Sequence, residues 1–326
     1  MCADNVKRLS EFELIEWIRQ QAGGSWSLDL GIGDDCAINK IAPEYDLLTS
    51  TDLFIEGVHF KREWTTLYNL GRKAAAVNIS DIAAMGGAPQ ALFLGIGRSS
   101  QITDQETQEL ISGFIFEAQR HGAVLAGGDT CGSSGPLIMA VTVQGQVAEG
   151  EAICRHGASY GDAIYVSGTL GDSSLALQQL QAGRSPESYL AQRFHLPTPR
   201  VGLGQILSAK QIATAMLDVS DGLLADLGHI LSASQVGAEL ELDNLPLSES
   251  FRQELQKNSS LLDLALSGGE DYELVFTSPV KDLANQPNLP IPVTRIGLIT
   301  QGHELRLRQS DGQLYQCQRE GFDHFA

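Results

Sequence analysis

Basic residues are scarce in this sequence of 326 residues. Lysine and arginine together number 22 against 40 aspartate and glutamate residues, which gives a formal net charge of −18 at pH 7. Because a protein that binds nucleic acid needs a surplus of positive charge opposite the phosphate backbone, a nucleic-acid partner is excluded. The excess of acid is explained either by solubility or by carboxylates that bind divalent cations, and the totals do not separate the two.

Cysteine is also rare, and its spacing excludes two kinds of site. The five cysteines form no CxxC pair and are scattered over the chain, at Cys2, Cys36, Cys131, Cys154 and Cys317. Neither a zinc site nor a disulfide framework is expected, and the pattern is typical of a reducing compartment. The sequence has no long uncharged apolar run, and residues 1–20 contain no apolar signal core. We therefore expect a soluble cytoplasmic protein with no membrane partner.

The common nucleotide-binding motifs are missing. No GxxxxGK[ST] occurs, and Lys73 in "LGRKA" has neither the spacing nor the following Ser or Thr. The stretches "GIGDDC" and "GIGRSS" both lack the last glycine of GxGxxG, and there is no HRD of a protein-kinase catalytic loop. Any phosphate site in this chain must therefore belong to another type of fold, without a P-loop.

Helical and strand patterns alternate in both halves of the chain. The patterns of the first half predict a helix capped by Thr103 and Glu106, a helix over 69–85 ended by Gly86 and Gly87, and strands at "ALFLGIG" and "PLIMAVTVQGQV". Those of the second half predict strands at "DAIYVSG", "YELVFT" and "VTRIGLI" and helices at "DSSLALQQLQAG", "PTPRVGLGQILSA" and "SDGLLADLGHILSAS", the last behind Ser220 and Asp221. A polar, glycine-containing stretch at 148–160 separates the halves. The fold class is therefore α/β (α+β), with two mixed α/β domains over 1–148 and 149–326.

Acidic residues recur beside glycines, where we expect strands or loops to meet the next element. They are Asp35, Asp52, Asp81, Asp129, Asp218 with Asp221, and Glu270 with Asp271. Carboxylate oxygens suit Mg²⁺, glycines let backbone amides approach a phosphate, and helix N-termini add partial positive charge. Each position alone is also explained by an ordinary cap or turn. Their recurrence points to a site for a polyphosphate and its metal ions.

Several of these stretches resemble one known family. "LGIGDDCA", "STD…GVHF", "KAAAVNISDIAAMGG", "LAGGDT", "LDVSDGLLADLGHI", "SGGEDYEL" and "GFDHF" occur in this order from Leu30 to Phe325. This series resembles the thiamine-monophosphate kinases, which belong to the superfamily of aminoimidazole ribonucleotide synthetase. The resemblance implies an N-terminal domain that binds ATP and Mg²⁺ and forms a homodimer, and a C-terminal domain that completes the nucleotide and substrate site. It also implies transfer of the γ-phosphoryl group of ATP to thiamine monophosphate, which gives thiamine diphosphate.

The resemblance also implies roles for individual residues. The implied ATP contacts are Gly128, Asp129, Arg155 and Ser220, and the implied thiamine-monophosphate contacts are His59, Glu270 and Phe322. The implied Mg²⁺ ligands are Asp35, Ser50, Thr51, Asp52, Asp81, Asp129, Asp218 and Asp221. The family often has Tyr where this chain has Phe322, so stacking on a thiamine ring is retained while a hydroxyl hydrogen bond is lost. Asp34 receives no role.

Each of the other contacts has a structural alternative. His59 is also explained as a structural histidine, Arg155 as a surface charge, Glu270 as a capping residue and Phe322 as packing near the end of the chain. The cysteines are assigned to packing.

The acceptor phosphate monoester is largely dianionic at neutral pH, so no residue is assigned as a general base. The expected task of the site is alignment and neutralisation of two anions. Two alternatives to the kinase remain: another ATP-using enzyme of the superfamily, and a non-catalytic nucleotide or metal sensor.

Overall fold

The computed structural model describes residues 11–24, 27–32, 36–283 and 288–318. The chain divides into two compact units. The first unit consists of the described residues of Met1–Ile79 and Pro89–Gln146, and the second of Ser80–Ala88 with the described residues of Val147–Ala326. The segment Ser80–Ala88 contains the end of a helix that begins in the first unit, so this helix supplies residues to both.

The first part of the chain forms three helices and six strands within the described residues. The helices are α1 (Glu11–Ala22), α2 (Leu67–Ala84) and α3 (Asp104–Arg120). The strands are β1 (Leu28–Leu30), β2 (Ile38–Asn39), β3 (Tyr45–Ile55), β4 (Ala88–Ser99), β5 (Val124–Ser133) and β6 (Ile138–Ala148). The predicted capping box is confirmed, because Thr103 Oγ1 accepts a hydrogen bond from the Glu106 backbone N–H while the Glu106 carboxylate accepts one from Thr103.

Four of these strands form one sheet in the order β3-β6-β4-β5, with β4 and β5 parallel. One face of the sheet carries buried apolar residues, among them Leu48, Phe54, Val141 and Leu94. The opposite face is much more open, and it includes Leu47 and Leu53 of β3, which are 53% and 58% exposed. We call this second face the open face. The strands β3 and β5 are the two edges of the sheet.

The second unit has a larger sheet and six further helices in the residues described. The helices are α4 (Asp172–Gln181), α5 (Ser188–His195), α6 (Val201–Ala209), α7 (Leu223–Ser234), α8 (Glu249–Lys257) and α9 (Leu262–Ser267). The strands are β7 (Ala163–Ser167), β8 (Ala215–Asp218), β9 (Gly237–Glu241), β10 (Leu274–Ser278), β11 (Val293–Thr300), β12 (Leu305–Arg308) and β13 (Leu314–Tyr315). Their order in the sheet is β13-β12-β9-β11-β7-β10-β8.

The core of the second unit packs apolar side chains of α6 against the sheet. Leu203 and Leu207 join Tyr165, Met216 and Phe276 in one buried cluster. The rings of Tyr165 and Phe276 stack with their centroids 5.4 Å apart, and the Tyr165 hydroxyl donates to the carbonyl oxygen of Val280. The predicted mixed α/β class is confirmed. Within the described ranges, no helix combines the length and apolar character needed to cross a membrane.

Candidate active site

Three connections of the second unit meet at one edge of its sheet. The strands β7 and β8 end there at Ser167 and Asp218, and the antiparallel strand β10 between them begins there at Leu274. The connections that leave or enter these strands therefore lie side by side. They carry the glycine-containing stretch before α4, the "VSDG" stretch before α7, and the "GGEDYE" stretch before β10.

The last two connections continue the pairing of β8 with β10. The backbone N–H groups of Glu270 and Tyr272 donate to the carbonyl oxygens of Ser220 and Val219, at 2.8 and 2.9 Å. The structure therefore brings together two predicted site residues, Ser220 and Glu270, which are 50 positions apart in the sequence. Asp221 follows directly in the same loop.

Asp218 lies beside the segment of α2 that belongs to the second unit. Ser80 Oγ donates a 2.6 Å hydrogen bond to Asp218 Oδ2, and both side chains are buried. Asp81 is the next residue along the helix, so its Cα atom is about 3.8 Å from that of Ser80. The structure therefore also brings together Asp81 and Asp218, two of the predicted metal ligands.

The "GGEDYE" stretch adopts a strained backbone. Glu270 and Tyr272 have φ angles of +69° and +50°, in the left-handed region that non-glycine residues rarely adopt. A Cβ atom on Gly269 would lie 2.3 Å from the carbonyl oxygen of Ser220, so only glycine fits this close approach of the two loops. Such strain persists only when surrounding contacts fix the loop.

Two fully buried carboxylates supply those contacts. Asp271 accepts hydrogen bonds from the backbone N–H groups of Gly171 and Ser173 at the start of α4. Glu273 accepts from Ser167 Oγ at 2.6 Å and forms ion pairs with Arg193 and Arg200. Complete burial raises the pKa of Asp271 to about 7, although the Arg193 guanidinium and the Gly171 N–H favour the charged form. Of the three acids in "GGEDYE", only Glu270 is therefore partly exposed and placed to contact a ligand.

The helix α7 begins behind Ser220 and Asp221, as predicted. The N-cap residue is Gly222, and no side chain of a preceding residue caps the helix. Instead, Oδ2 of Asp226, in the first turn, accepts hydrogen bonds from the backbone N–H groups of Ser220, Asp221 and Gly222, each at 3.0 Å. Burial raises the pKa of Asp226 to about 7, against the effect of the backbone donors. The partial positive charge predicted for phosphate binding at this helix start is therefore already used by a carboxylate of the chain itself.

Arg155 lies at the other end of α7. Ser234, the last residue of the helix, donates to the Arg155 carbonyl oxygen and accepts from the N–H groups of Gly157 and Ala158. Because a helix rises 1.5 Å per residue, the two ends of α7 are about 17 Å apart. The backbone of Arg155 is therefore remote from Ser220, although both are predicted ATP contacts.

In the first unit, the predicted metal ligands on β3 point to both faces of the sheet. Side chains alternate along a strand, so Ser50 and Asp52 share the face of Leu48 and Phe54. Thr51 points to the open face, where its Oγ1 lies 3.1 Å from Thr142 Oγ1. The side chain of Thr51 is therefore separated by the sheet from those of Ser50 and Asp52.

Gly128 and Asp129 lie in the second half of β5. A Cβ atom on Gly128, whose φ is +151°, would lie 2.0 Å from the carbonyl oxygen of Leu94. Asp129 pairs in register with Gly95 of β4, which faces Ala140 on the open face. Asp129 therefore shares the open face with Thr51, but β5 and β3 are opposite edges, three strand spacings or roughly 14 Å apart along the sheet.

His59 is fixed by two contacts in the first unit. The backbone N–H of Ile55 donates to its Nδ1 atom at 3.0 Å, and its ring stacks on Phe54 with centroids 5.7 Å apart. Since Nδ1 accepts this hydrogen bond, the proton of the neutral ring is on Nε2. His59 is therefore oriented as a hydrogen-bond donor through Nε2.

The expectation that the acidic residues lie at junctions between elements is wrong for three of them. Asp52 is inside β3, Asp129 is inside β5, and Asp81 is inside α2. The strand β3 continues past Asp52 to Ile55, and β5 continues through Gly127 and Gly128, because strands tolerate glycines. Asp81 lies inside the helix that was itself predicted over 69–85. Asp218, Asp221 and Glu270 do lie at junctions.

Some predictions remain outside the reach of the structure. Asp35 and Phe322 lie outside the described residues. Among residues 11–24, 27–32, 36–283 and 288–318, no three His, Cys, Asp or Glu side chains form a group that could hold a metal ion. The convergence of all the predicted magnesium ligands therefore stays a prediction.

Sequence reasoning missed Asp226 and Glu273 as residues that shape the site, and it grouped Asp271 with the acidic residues of the expected phosphate and metal site, whereas Asp271 is buried and supports the loop. Asp271 and Glu273 are within the motif "SGGEDYEL". They alternate with Glu270 and Tyr272, and this alternation could have indicated that Asp271 and Glu273 are the buried pair. Asp226 gave the weaker signal of an acid in the first turn of a predicted helix.

Family models define the class of protein to which these two units correspond. The N-terminal domain model of the AIR synthase related proteins matches residues 33–147, and the C-terminal domain model matches residues 159–309. Individual proteins give a more specific match than these family models. A thiamine-monophosphate kinase of Haemophilus influenzae is 39% identical over 329 residues, which cover 97% of this chain and 98% of that protein. The chain belongs to the thiamine-monophosphate kinase family.

Two solved structures extend this similarity to three dimensions. The crystal structure of thiamine-monophosphate kinase from Stenotrophomonas maltophilia K279a has a TM-score of 0.83 and 39% identity, and covers 94% of this chain and 98% of its own. A structure of AaThiL complexed with AMPPCP and TMP has a TM-score of 0.77 and 30% identity, and covers both chains completely.

Proposed function

We propose that this protein transfers the γ-phosphoryl group of ATP directly to thiamine monophosphate, and so produces thiamine diphosphate and ADP. The observation that carries this proposal is the full-length similarity to AaThiL, which binds AMPPCP and TMP. The paired loops of Ser220 and Glu270 support it, because they place a predicted ATP contact beside a predicted substrate contact.

We assign the proposed contacts with the two reactants to individual residues. We propose that Gly128, Asp129, Arg155 and Ser220 contact ATP, and that His59, Glu270 and Phe322 contact thiamine monophosphate. A nucleotide that contacts both Ser220 and Arg155 of one chain must extend along α7, since these residues lie at its two ends. Arg155 would then bind the end of the nucleotide that is remote from the transferred phosphate.

The donor atoms available suit magnesium. Carboxylate and hydroxyl oxygens are hard ligands, and Ser50 with Asp52, and Asp81 with Asp218, provide them in neighbouring positions. We propose that these residues, together with Asp35, Thr51, Asp129 and Asp221, hold Mg²⁺ ions. When bound, Mg²⁺ would supply the positive charge that offsets the repulsion between the two phosphate-bearing reactants.

The chain's own side chains would align the reactants without a general base. The phosphate of thiamine monophosphate is largely dianionic at neutral pH and needs no proton removed before it attacks the γ-phosphorus. The tautomer of His59 supports this view, because Nδ1 already accepts the Ile55 N–H and Nε2 carries the proton. His59 would therefore donate a hydrogen bond to the substrate.

We further propose that the protein is a homodimer formed through the sheet of the first unit. The open face presents Leu47 and Leu53 at more than half exposure, and β3 and β5 are unpaired edges within the described sheet. A second copy that covers this face would bury the apolar side chains. Sedimentation of Leu53→Asp should then give a monomer where the unmodified protein gives a dimer.

The cytoplasmic location stays a prediction from the cysteine pattern.

One assay tests the catalytic proposal against its two alternatives. The purified protein is supplied with ATP and Mg²⁺, and ADP release is compared with thiamine monophosphate, free thiamine or an aminoimidazole-pathway substrate. We expect release that depends on thiamine monophosphate. Turnover with an aminoimidazole-pathway substrate alone would indicate another enzyme of the superfamily, and ATP binding without any turnover would indicate a sensor.

A further inference from the structure

Asp226 is a buried carboxylate that the proposed reaction does not use. It lies in the first turn of α7 and is 2% exposed. A single oxygen atom, Oδ2, is 3.0 Å from each of three successive backbone nitrogen atoms, those of Ser220, Asp221 and Gly222. Such a concentration of donors on one carboxylate oxygen fixes the loop that carries two predicted site residues.

Planar trans peptide groups extend this effect to the carbonyl oxygens. In each peptide group the N–H and C=O bonds point in opposite directions. With three N–H groups directed at Asp226, the carbonyl groups of residues 219, 220 and 221 point away from it. Two of them accept the N–H groups of Tyr272 and Glu270, at 2.9 and 2.8 Å. One carboxylate therefore orders both the Ser220–Gly222 loop and, through it, the strained loop of Glu270.

The same contact decides where an anion can bind. The N–H groups at the start of a helix commonly bind a phosphate. Here a carboxyl group of the protein occupies them, so a triphosphate has to be bound by other groups of the loop. Ser220 and Asp221 are partly exposed, whereas Asp226 is buried.

We propose that Asp226 is a positioning residue, which holds the Ser220–Gly222 loop in the shape that presents Ser220 to ATP and Asp221 to the metal ion. The proposal rests on the proposed roles of Ser220 and Asp221. It does not require Asp226 to touch either reactant.

The test compares three substitutions of Asp226 with a matched control in the whole protein. Asp226→Asn keeps an oxygen acceptor, Asp226→Ala removes it, and Asp226→Glu keeps the charge but moves the oxygen atoms by one methylene. Thr103→Ala removes the same kind of contact, a side-chain oxygen that accepts a helix-start N–H, from α3 in the first unit. Hydrogen–deuterium exchange over residues 218–224 and the KM values for ATP and thiamine monophosphate are measured for each.

We expect Asp226→Ala to speed exchange over 218–224 at least tenfold and to raise the KM for ATP about tenfold, more than that for thiamine monophosphate. Asp226→Glu should show the same pattern to a smaller extent, and Asp226→Asn should stay within threefold of the unmodified protein. Thr103→Ala should lower the melting temperature without changing either quantity.

Unchanged exchange over 218–224 in folded Asp226→Ala or Asp226→Glu would overturn the proposal. So would a KM for ATP that rises equally in Thr103→Ala, because the effect would then be one of general stability. Ser220→Ala and Asp221→Asn are measured alongside. If both are indistinguishable from the unmodified protein while exchange responds to Asp226, the proposed roles of Ser220 and Asp221 fail, and the ordering of the loop by Asp226 stands.

Discussion

The two units hold their candidate site residues in different ways. In the first unit, Ser50, Thr51, Asp52 and Asp129 lie on strands, so the pleat and register of the sheet fix their positions. In the second unit, Ser220, Asp221 and Glu270 lie on connections beyond the ends of the strands, where two backbone hydrogen bonds extend the pairing of β8 with β10 and buried carboxylates supply the remaining support. The comparison teaches that a loop site needs a supporting network behind it, whereas a strand site needs little beyond the strand itself. Substitutions of supporting residues should therefore be damaging in the second unit.

The largest effect should come from Glu273→Gln, which breaks the buried ion pairs behind the loop of Glu270. Arg193 and Arg200 would lose the carboxylate that they share, Arg193 while it is buried and Arg200 while its side chain is only 16% exposed. Removal of one partner from a buried ion pair typically costs about 3–5 kcal/mol. Chemical denaturation should show a loss of unfolding free energy in this range.

The matched control for this experiment is Glu304→Gln. Glu304 forms an ion pair with Arg306 in which both side chains are more than half exposed, so we expect no clear change in stability. Equal losses in the two variants would contradict the view that the second unit depends on a buried network.

On the first unit, Asp52→Asn tests a residue that is itself proposed to act. The substitution keeps the size of the side chain and removes the charge that would hold Mg²⁺. We expect the rate of ADP release to fall well beyond tenfold, because metal contacts of this kind contribute several kcal/mol, while the unfolding free energy changes little. Asp46→Asn, an exposed carboxylate earlier on β3, is the control. Turnover of Asp52→Asn at the unmodified rate would remove Asp52 from the proposed metal ligands.

His59 offers a smaller effect and a sharper chemical distinction. Glutamine can place an N–H donor near the position of Nε2, whereas asparagine can replace only the acceptor at Nδ1. Because Nδ1 is bonded to Ile55, we expect His59→Gln to keep the KM for thiamine monophosphate within about threefold and His59→Asn to raise it about tenfold, or about 1.4 kcal/mol. Nitrogen NMR of the ring should show the proton on Nε2.

The reverse order, with asparagine better than glutamine, would show that the acceptor at Nδ1 is what matters to the substrate. His303→Gln, an exposed histidine of the second unit, serves as the control for a general effect of the substitution.

The sequence predicted the mixed α/β class, the capping box of Thr103 and Glu106, and most long elements, because these depend on local periodicity and caps. It did not predict that Thr51 and Asp52 point to opposite faces, because Asp52 was expected where a strand or loop meets the next element and not inside a strand. Nor did it separate Glu270 from Asp271 and Glu273, whose burial depends on α4, Arg193 and Arg200 far away in the chain. Motifs indicate which residues are grouped, and tertiary contacts decide which of them face a ligand.

A pH dependence of stability should appear in the second unit. Complete burial raises the pKa of Asp271 to about 7 in the folded protein, from an ordinary value of 3.8, with Arg193 and Asp172 as the charged neighbours. The folded state then holds a proton between pH 4 and pH 7 that the unfolded state has lost, so the contribution of Asp271 to stability is lost as the pH rises through about 7. Asp271→Asn resembles the protonated form and does not titrate. We therefore expect the melting temperature of Asp271→Asn, relative to that of the unmodified protein, to rise between pH 5 and pH 8. For Asp311→Asn, at an exposed turn, the difference in melting temperature should stay constant. A gap that widens in the opposite direction would mean that Asp271 is charged when buried, held by Arg193 and the start of α4.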